Sequence, residues 1–293
     1  MNVLRHLMAV LPRQWRRYRK QLQRCQRRFA SGTVHDSRVE TRRLLATLEL
    51  LAAFVPEREL KKPRRALREH LAAFDHLRDT QVQLGMVAPL RRTFPAAKQF
   101  HRWLRRREAR FTREARQTVR HIKTRRLRKR IAALQALLRR QRKHTLPAAT
   151  FKRAQAAIQL AFARVGRLGR RVKAADPKSI HRTRIAFKRF RYMVEVLTPL
   201  LPGVTDKHRN AMRRYQAMMG EVQDLNVLLA ALAEFIKAEE ANDPATQRLR
   251  AEFVRRRERV IRGYIDAAPK LWLFWPPEKL LPRRTTRKHR FIP

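Results

Sequence analysis

An all-α fold follows from three features of the 293-residue sequence. Glycine is scarce, at seven residues, and no segment sustains the two-residue alternation of a half-buried strand. Ala, Leu, Arg and Gln dominate the composition and favour helices. Proline and glycine punctuation then cuts the chain into long stretches whose apolar residues recur at helical spacing. Hydrophobic residues make up 44% of the chain, enough to bury a core, which excludes a disordered polycation.

The pattern predicts eight helices. The first covers about 12–29, with Trp15, Tyr18, Leu22, Cys25 and Phe29 on one face, and "ASGTVHD" ends it. The second covers about 35–54 and stops at "VPERELKKP"; the third covers about 64–86. A long fourth helix follows "RTFPAAK" over about 96–143. After "KHTLPAAT" the scheme begins again, with helices over about 151–173, 180–197, 206–238 and 245–267. Residues 268–293 form a proline-rich basic tail, expected to be extended, with Trp272 and Trp275 pinned against the bundle.

Two sets of four helices suggest an internal duplication, with repeats at about 5–143 and 148–267. A displacement of 146 places His35, Arg38, Arg42 and Arg43 on His181, Arg184, Lys188 and Arg189. A displacement of 145 places "FDHLRDTQV" (74–82) on "MGEVQDLNV" (219–227), matching Asp79 with Asp224, and places Arg64 and Arg68 on Arg209 and Arg213. A one-residue change in the intervening loop accounts for the shift.

Charge decides the class of partner. Seventy-two Lys and Arg against 23 Asp and Glu leave +49, and self-repulsion on that scale calls for nearby anions. Nucleic acid, polyphosphate and an anionic membrane surface all fit at this point. Arg38 and Arg42 fall within roughly 60° of His35 around a helix, and His181, Arg184, Lys188 and Arg191 form the same stripe. Beside each stripe runs an apolar one for the core. Solvated faces usually mix signs, whereas here basic groups stack on basic groups twice. Guanidinium forks match phosphate oxygens, and a histidine opening each helix adds a donor that strengthens on protonation. Asp79 and Asp224 read as structural partners of nearby arginines or helix N-termini.

Other chemistries find little support. His70 and His76 are six residues apart and sit on opposite sides of a helix, so no metal site is expected. Neither a Gly-rich phosphate loop nor a nucleophile elbow is present. The lone Cys25 cannot form an internal disulfide. The apolar run at the N-terminus is broken by Arg5 and His6, and no window has spanning length, so a soluble cytoplasmic chain is the expectation. "QWRRYRKQLQRCQRRF" and "RWLRRREARF" interleave aromatics with arginines, which keeps base stacking open, although the aromatics have core-like spacing.

The motifs "VHDSRVETRRLLATLELL" and "IHRTRIAFKRFRYMVEVL", with "FDHLRDTQV" and "MGEVQDLNV", resemble those of the CHAD family, helical domains named for their histidines. The resemblance spans about residues 5–267. It implies two pseudo-symmetric four-helix bundles in one compact unit around a basic cavity that binds inorganic polyphosphate without catalysis. Carried over, His35, Arg38, Arg42 and Arg43 line that cavity from one half, and His181, Arg184, Lys188, Arg189 and Arg191 from the other. Arg68 and Arg213 match further basic positions of the pattern. Two departures stand out: Asp75 takes the place of the glycine seen as Gly220, and Leu45 that of the basic Arg191. "ERELK" (57–61) formally matches the ExExK pattern of triphosphate tunnel enzymes, which sometimes accompany such domains, but no strand is available to carry it. The resulting expectation is a monomer or weak dimer that needs no cofactor or metal. Its partner is polyphosphate, with sulfate or phosphate as small occupants of the site. Nonspecific nucleic-acid binding is the alternative, and association with polyphosphate granules is compatible with either expectation of a cytoplasmic chain.

Overall fold

The computed structural model describes residues 2–275, and among them the chain is all-α. The helices are α1 (Val3–Arg27), α2 (Ser31–Leu51), α3 (Glu57–Ala72), α4 (Asp75–Val87), α5 (Pro95–Arg120), α6 (Arg125–His144), α7 (Pro147–Gly169), α8 (Pro177–Leu197), α9 (Asp206–Ala238) and α10 (Pro244–Ala267). Short 3-10 turns cover Ala88–Arg92, Thr198–Leu200 and Ala268–Leu273.

The first half therefore has six helices, not four. Its first helix starts at Val3, capped by the Asn2 side chain, which accepts the Arg5 N–H at 3.0 Å; Pro12 lies inside the helix. The expected helix over 64–86 starts earlier and breaks. Glu57 and Glu59 favour a first turn beside the helix's positive end, so "ERELK" is helical, and the chain bends at Ala73–Phe74 with the Phe74 ring buried. The long helix over 96–143 divides at His121–Thr124 into α5 and α6. There the Gln26 amide, far away in sequence, donates to the carbonyls of Val119 and Ile122 at 3.0 and 3.1 Å. Carbonyl groups released at a helix end are thus satisfied from α1.

In the second half the single helix α9 stands where the first has α3 and α4, and α6 has no counterpart. Packing pairs α1 with α2 and α7 with α8, then α4 with α5 and α9 with α10. Across the halves, α2 packs on α8, α4 on α9 and α5 on α10, so each of these elements meets its own counterpart. One large core runs through Tyr18, Leu48, Phe187 and Phe190; a second, built on Phe100, Trp103, Phe235 and Phe253, lies between α5, α9 and α10. Burying these side chains, at about 25 cal/mol per Å² of apolar surface, opposes the charge repulsion.

The start of the tail is folded, not extended. Trp275 is buried, its indole N–H donating to Gln159 at 2.7 Å, while Trp272 is half-exposed and lies over Gly166. A Cβ on Gly166 would come within 2.7 Å of that ring, so the glycine permits the contact. Residues 276–293 lie outside the described part.

Candidate functional site

The crossing of α2 and α8 brings the two basic stripes together. Between α2 and α3 on one side and α7 and α8 on the other runs a solvent-open cleft of about 980 Å³. Of the residues singled out above, Arg42, Arg68, Arg184, Lys188 and Arg189 line it. Arg42, Arg184 and Lys188 make no ion pair within 4 Å among the described residues. Burial, with the charges of Arg38 and Arg184, lowers the Arg42 pKa; Lys188 is pushed down to about 7 by burial first, then by Arg42, Arg184 and Arg38. A half-buried cluster of cations that depresses its own lysine is a site short of negative charge.

Among the described residues the cleft contains one acid, Glu49, and it is already shared. Its carboxylate accepts from Arg68 at 3.1 Å and is ion-paired with Arg189 at 2.6 Å and Arg64 at 3.5 Å. Glu49 thus holds Arg68 and Arg189 at the rim while leaving the site strongly positive. In the second half, Glu195 is bonded to Arg191 and lies 3.5 Å from Arg213.

The remaining residues singled out do not line the cleft. Arg191 is buried, donating to Gln216 at 2.8 Å and stacking on Tyr192 at 4.3 Å; Arg213 stays with Glu195. Both are held by an acid instead of facing the opening. Arg43 turns outward and bonds Glu40 at 2.5 Å. His35 is exposed, and His181 is half-buried with Nδ1 unpartnered. Neither opens its helix: α2 begins at Ser31 and α8 at Pro177, so a full turn precedes each. Burial, then Arg184, lowers the His181 pKa, favouring the neutral ring.

Arg38 lies beneath the cleft, buried and 3.2 Å from Asp75. Its counterpart Arg184 faces Gly220, where a Cβ would sit 3.5 Å from Nε, and that Nε is buried without a partner. The first of the two departures from the motif thus has a physical result: Asp75 neutralises one arginine, whereas glycine leaves the other without an ion pair among the described residues. Asp79 and Asp224 form no ion pair within 4 Å among the described residues, contrary to their expected role. Burial raises the pKa of both; Asp79, although much of its surface is exposed, is raised further by Asp75 and Asp224.

Four cations of the cleft went unmarked in the sequence: Arg153, Arg164 and Arg167 of α7, and Arg182 of α8. The signal was available, because 153, 160, 164 and 167 fall on one helical face. The interleaved aromatics Trp15, Tyr18, Trp103 and Phe111 are buried, so they serve packing. His70 accepts from or donates to the Tyr18 hydroxyl at 2.6 Å, and His76 stacks on Phe111.

An all-helical protein with cations from both halves gathered around one cleft is the class that fold and site define. The chain belongs to the CHAD domain family, whose profile matches residues 9–233. Its fold resembles that of the CHAD domain from the plant Ricinus communis, with 20% identity, a TM-score of 0.67, and 91% and 92% of the two chains covered. PptA from Streptomyces chartreusis gives 16% identity and a TM-score of 0.66, covering 92% of this chain and 99% of that one. At these identities the likeness is one of fold. No curated protein sequence matches significantly. Among the described residues no helix is long and apolar enough to cross a membrane.

A pH dependence follows from Lys188. An anion entering the cleft would favour its charged form, so binding would take up a proton. Affinity for a polyanion held there should therefore fall as pH rises through about 7, the pKa of Lys188 in the unliganded protein. Titration calorimetry from pH 6 to pH 9 should show the decline in wild type, about tenfold per unit of bound-state shift crossed, and a nearly flat profile in Lys188→Arg. Equal slopes in the two proteins would remove Lys188 from the site.

Proposed function

We propose that this chain is a non-catalytic binding protein for inorganic polyphosphate, which lies in the cleft between α2 and α8. The observation that carries the reading is the unpaired trio Arg42, Arg184 and Lys188, drawn from both halves and set side by side. Family membership and the motif resemblance support it. A linear polyanion supplies the negative charge that the cleft lacks, and displaced counterions provide much of the free energy. Affinity should fall steeply with salt, with a log–log slope of roughly −5 to −8 if six to nine phosphates are neutralised. Longer chains should bind better, since they reach Arg42 and Arg68 on one wall and Arg164 and Arg184 on the other.

Nucleic acid is the competing ligand, and binding alone cannot separate the two. Helices α1, α6 and α7 carry eight, nine and four Lys or Arg respectively and no Asp or Glu. Such a surface attracts any polyanion. Competition decides: excess long-chain polyphosphate should displace labelled duplex DNA, while DNA of equal charge should leave polyphosphate bound. Displacement by DNA at parity would overturn the assignment. Incubation with polyphosphate and divalent cations should release no phosphate, and sustained turnover would make the chain an enzyme.

A further inference from the structure

Polyphosphate has no apolar surface, yet the cleft does. Leu160 and Ile185 are 71% and 56% exposed, two large hydrophobic side chains left facing the opening. Around them lie small residues, among them Ala46, Ala157 and Ala161, which make a shallow floor instead of a deep tunnel. The helices repeat one order along their length. On α7 it is Arg153, then Ala157 and Leu160, then Arg164; on α8 it is Arg182, Ile185, Arg189. The ligand that complements this arrangement has an apolar middle with negative charge on its flanks.

We propose that the cleft also receives an acidic helix of a partner protein, laid along α7 with apolar residues of its middle turns on Leu160 and Ile185 and carboxylates of its end turns against the flanking arginines. The dimensions agree. From Arg153 to Arg167 the wall runs about 21 Å, or four helical turns. A helix about 10 Å across and of that length occupies roughly 1,600 Å³, so a cleft of about 980 Å³ embeds rather more than half of it. Small floor residues let a backbone approach closely. A second copy of this chain does not suit the site, because it brings +49 instead of negative charge. The inference concerns the same cleft as polyphosphate but does not depend on polyphosphate binding there. If both hold, helix and polyanion compete for Arg164, Arg184 and Lys188.

The probe is an 18-residue helical peptide with Leu and Ala in its middle turns and Glu in its end turns, compared by fluorescence anisotropy with a scrambled peptide of identical composition. The ordered peptide should bind at least tenfold tighter. Leu160→Asn with Ile185→Gln should abolish that preference while changing polyphosphate affinity less than twofold. Both side chains are exposed, so the fold is untouched, and Leu160→Met with Ile185→Leu should restore binding. Equal affinity for the two peptides, or no loss in the polar variant, would overturn the inference. Polyphosphate failing to bind while the peptide does would sink the proposed function and leave this inference standing.

Discussion

Arg42→Ala, Arg184→Ala and Lys188→Ala together should weaken polyphosphate binding by about 10³-fold or more, with helix content unchanged. Hydrogen bonds to charged groups contribute about 1.5–3 kcal/mol each, so losing three removes roughly 4–9 kcal/mol, with tenfold per 1.4 kcal/mol. Among the described residues none of the three makes an ion pair, so no buried carboxylate there is orphaned by their removal. Lys188 is the clearest case. Its folded pKa lies below its unfolded value, so its burial costs stability as pH falls from about 10.5 towards 7. The variant should therefore melt at or above the wild-type temperature near neutral pH. Arg38 is left out deliberately: its side chain is buried against Asp75 and over the Phe74 ring, so its removal would take away packing as well as charge. Filter binding and calorimetry on the triple variant give both answers; binding within threefold of wild type would place the ligand elsewhere.

Gly220→Asp should lower polyphosphate affinity by about 10–100-fold through a single added carboxylate, the equivalent of one or two charged contacts. The site can receive it, because a Cβ at 3.5 Å from Arg184 is an ordinary contact. The new acid would reproduce on Arg184 what Asp75 does to Arg38 in the other half. Gly220→Asn supplies the same shape without charge and should change affinity little. The converse, Asp75→Gly, frees Arg38 and should strengthen binding several-fold. Equal losses in the Asp and Asn variants would show that shape, not charge, governs this position.

Much of this asymmetry was legible before any coordinates. The basic stripes of α2 and α8 could be read because seven-residue spacing on a helix fixes one face, whereas their meeting around one opening was implied only by the family resemblance. Asp75 and Leu45 already marked the first half as divergent; the structure adds what the divergence does. Arg191 shows where residue type alone misled, since Glu195 stands one turn away and claims it. The break between α5 and α6 had no local signal. No proline or glycine lies between 121 and 124, and the carbonyls are satisfied by Gln26 from another helix. Such a break is set by tertiary packing, which periodicity cannot register. The arginines of α7 were missed for a different reason: the repeated motif drew attention to α8, while the cleft's other wall was a helix without a repeated motif.

A structure of the protein with a polyphosphate chain of about ten units bound is the most direct measurement. The chain should run between α2 and α8 with phosphate oxygens in hydrogen-bond reach of Arg42, Arg184 and Lys188. Polyphosphate lying instead along the outer faces of α1 and α6, with the cleft unoccupied, would contradict the account.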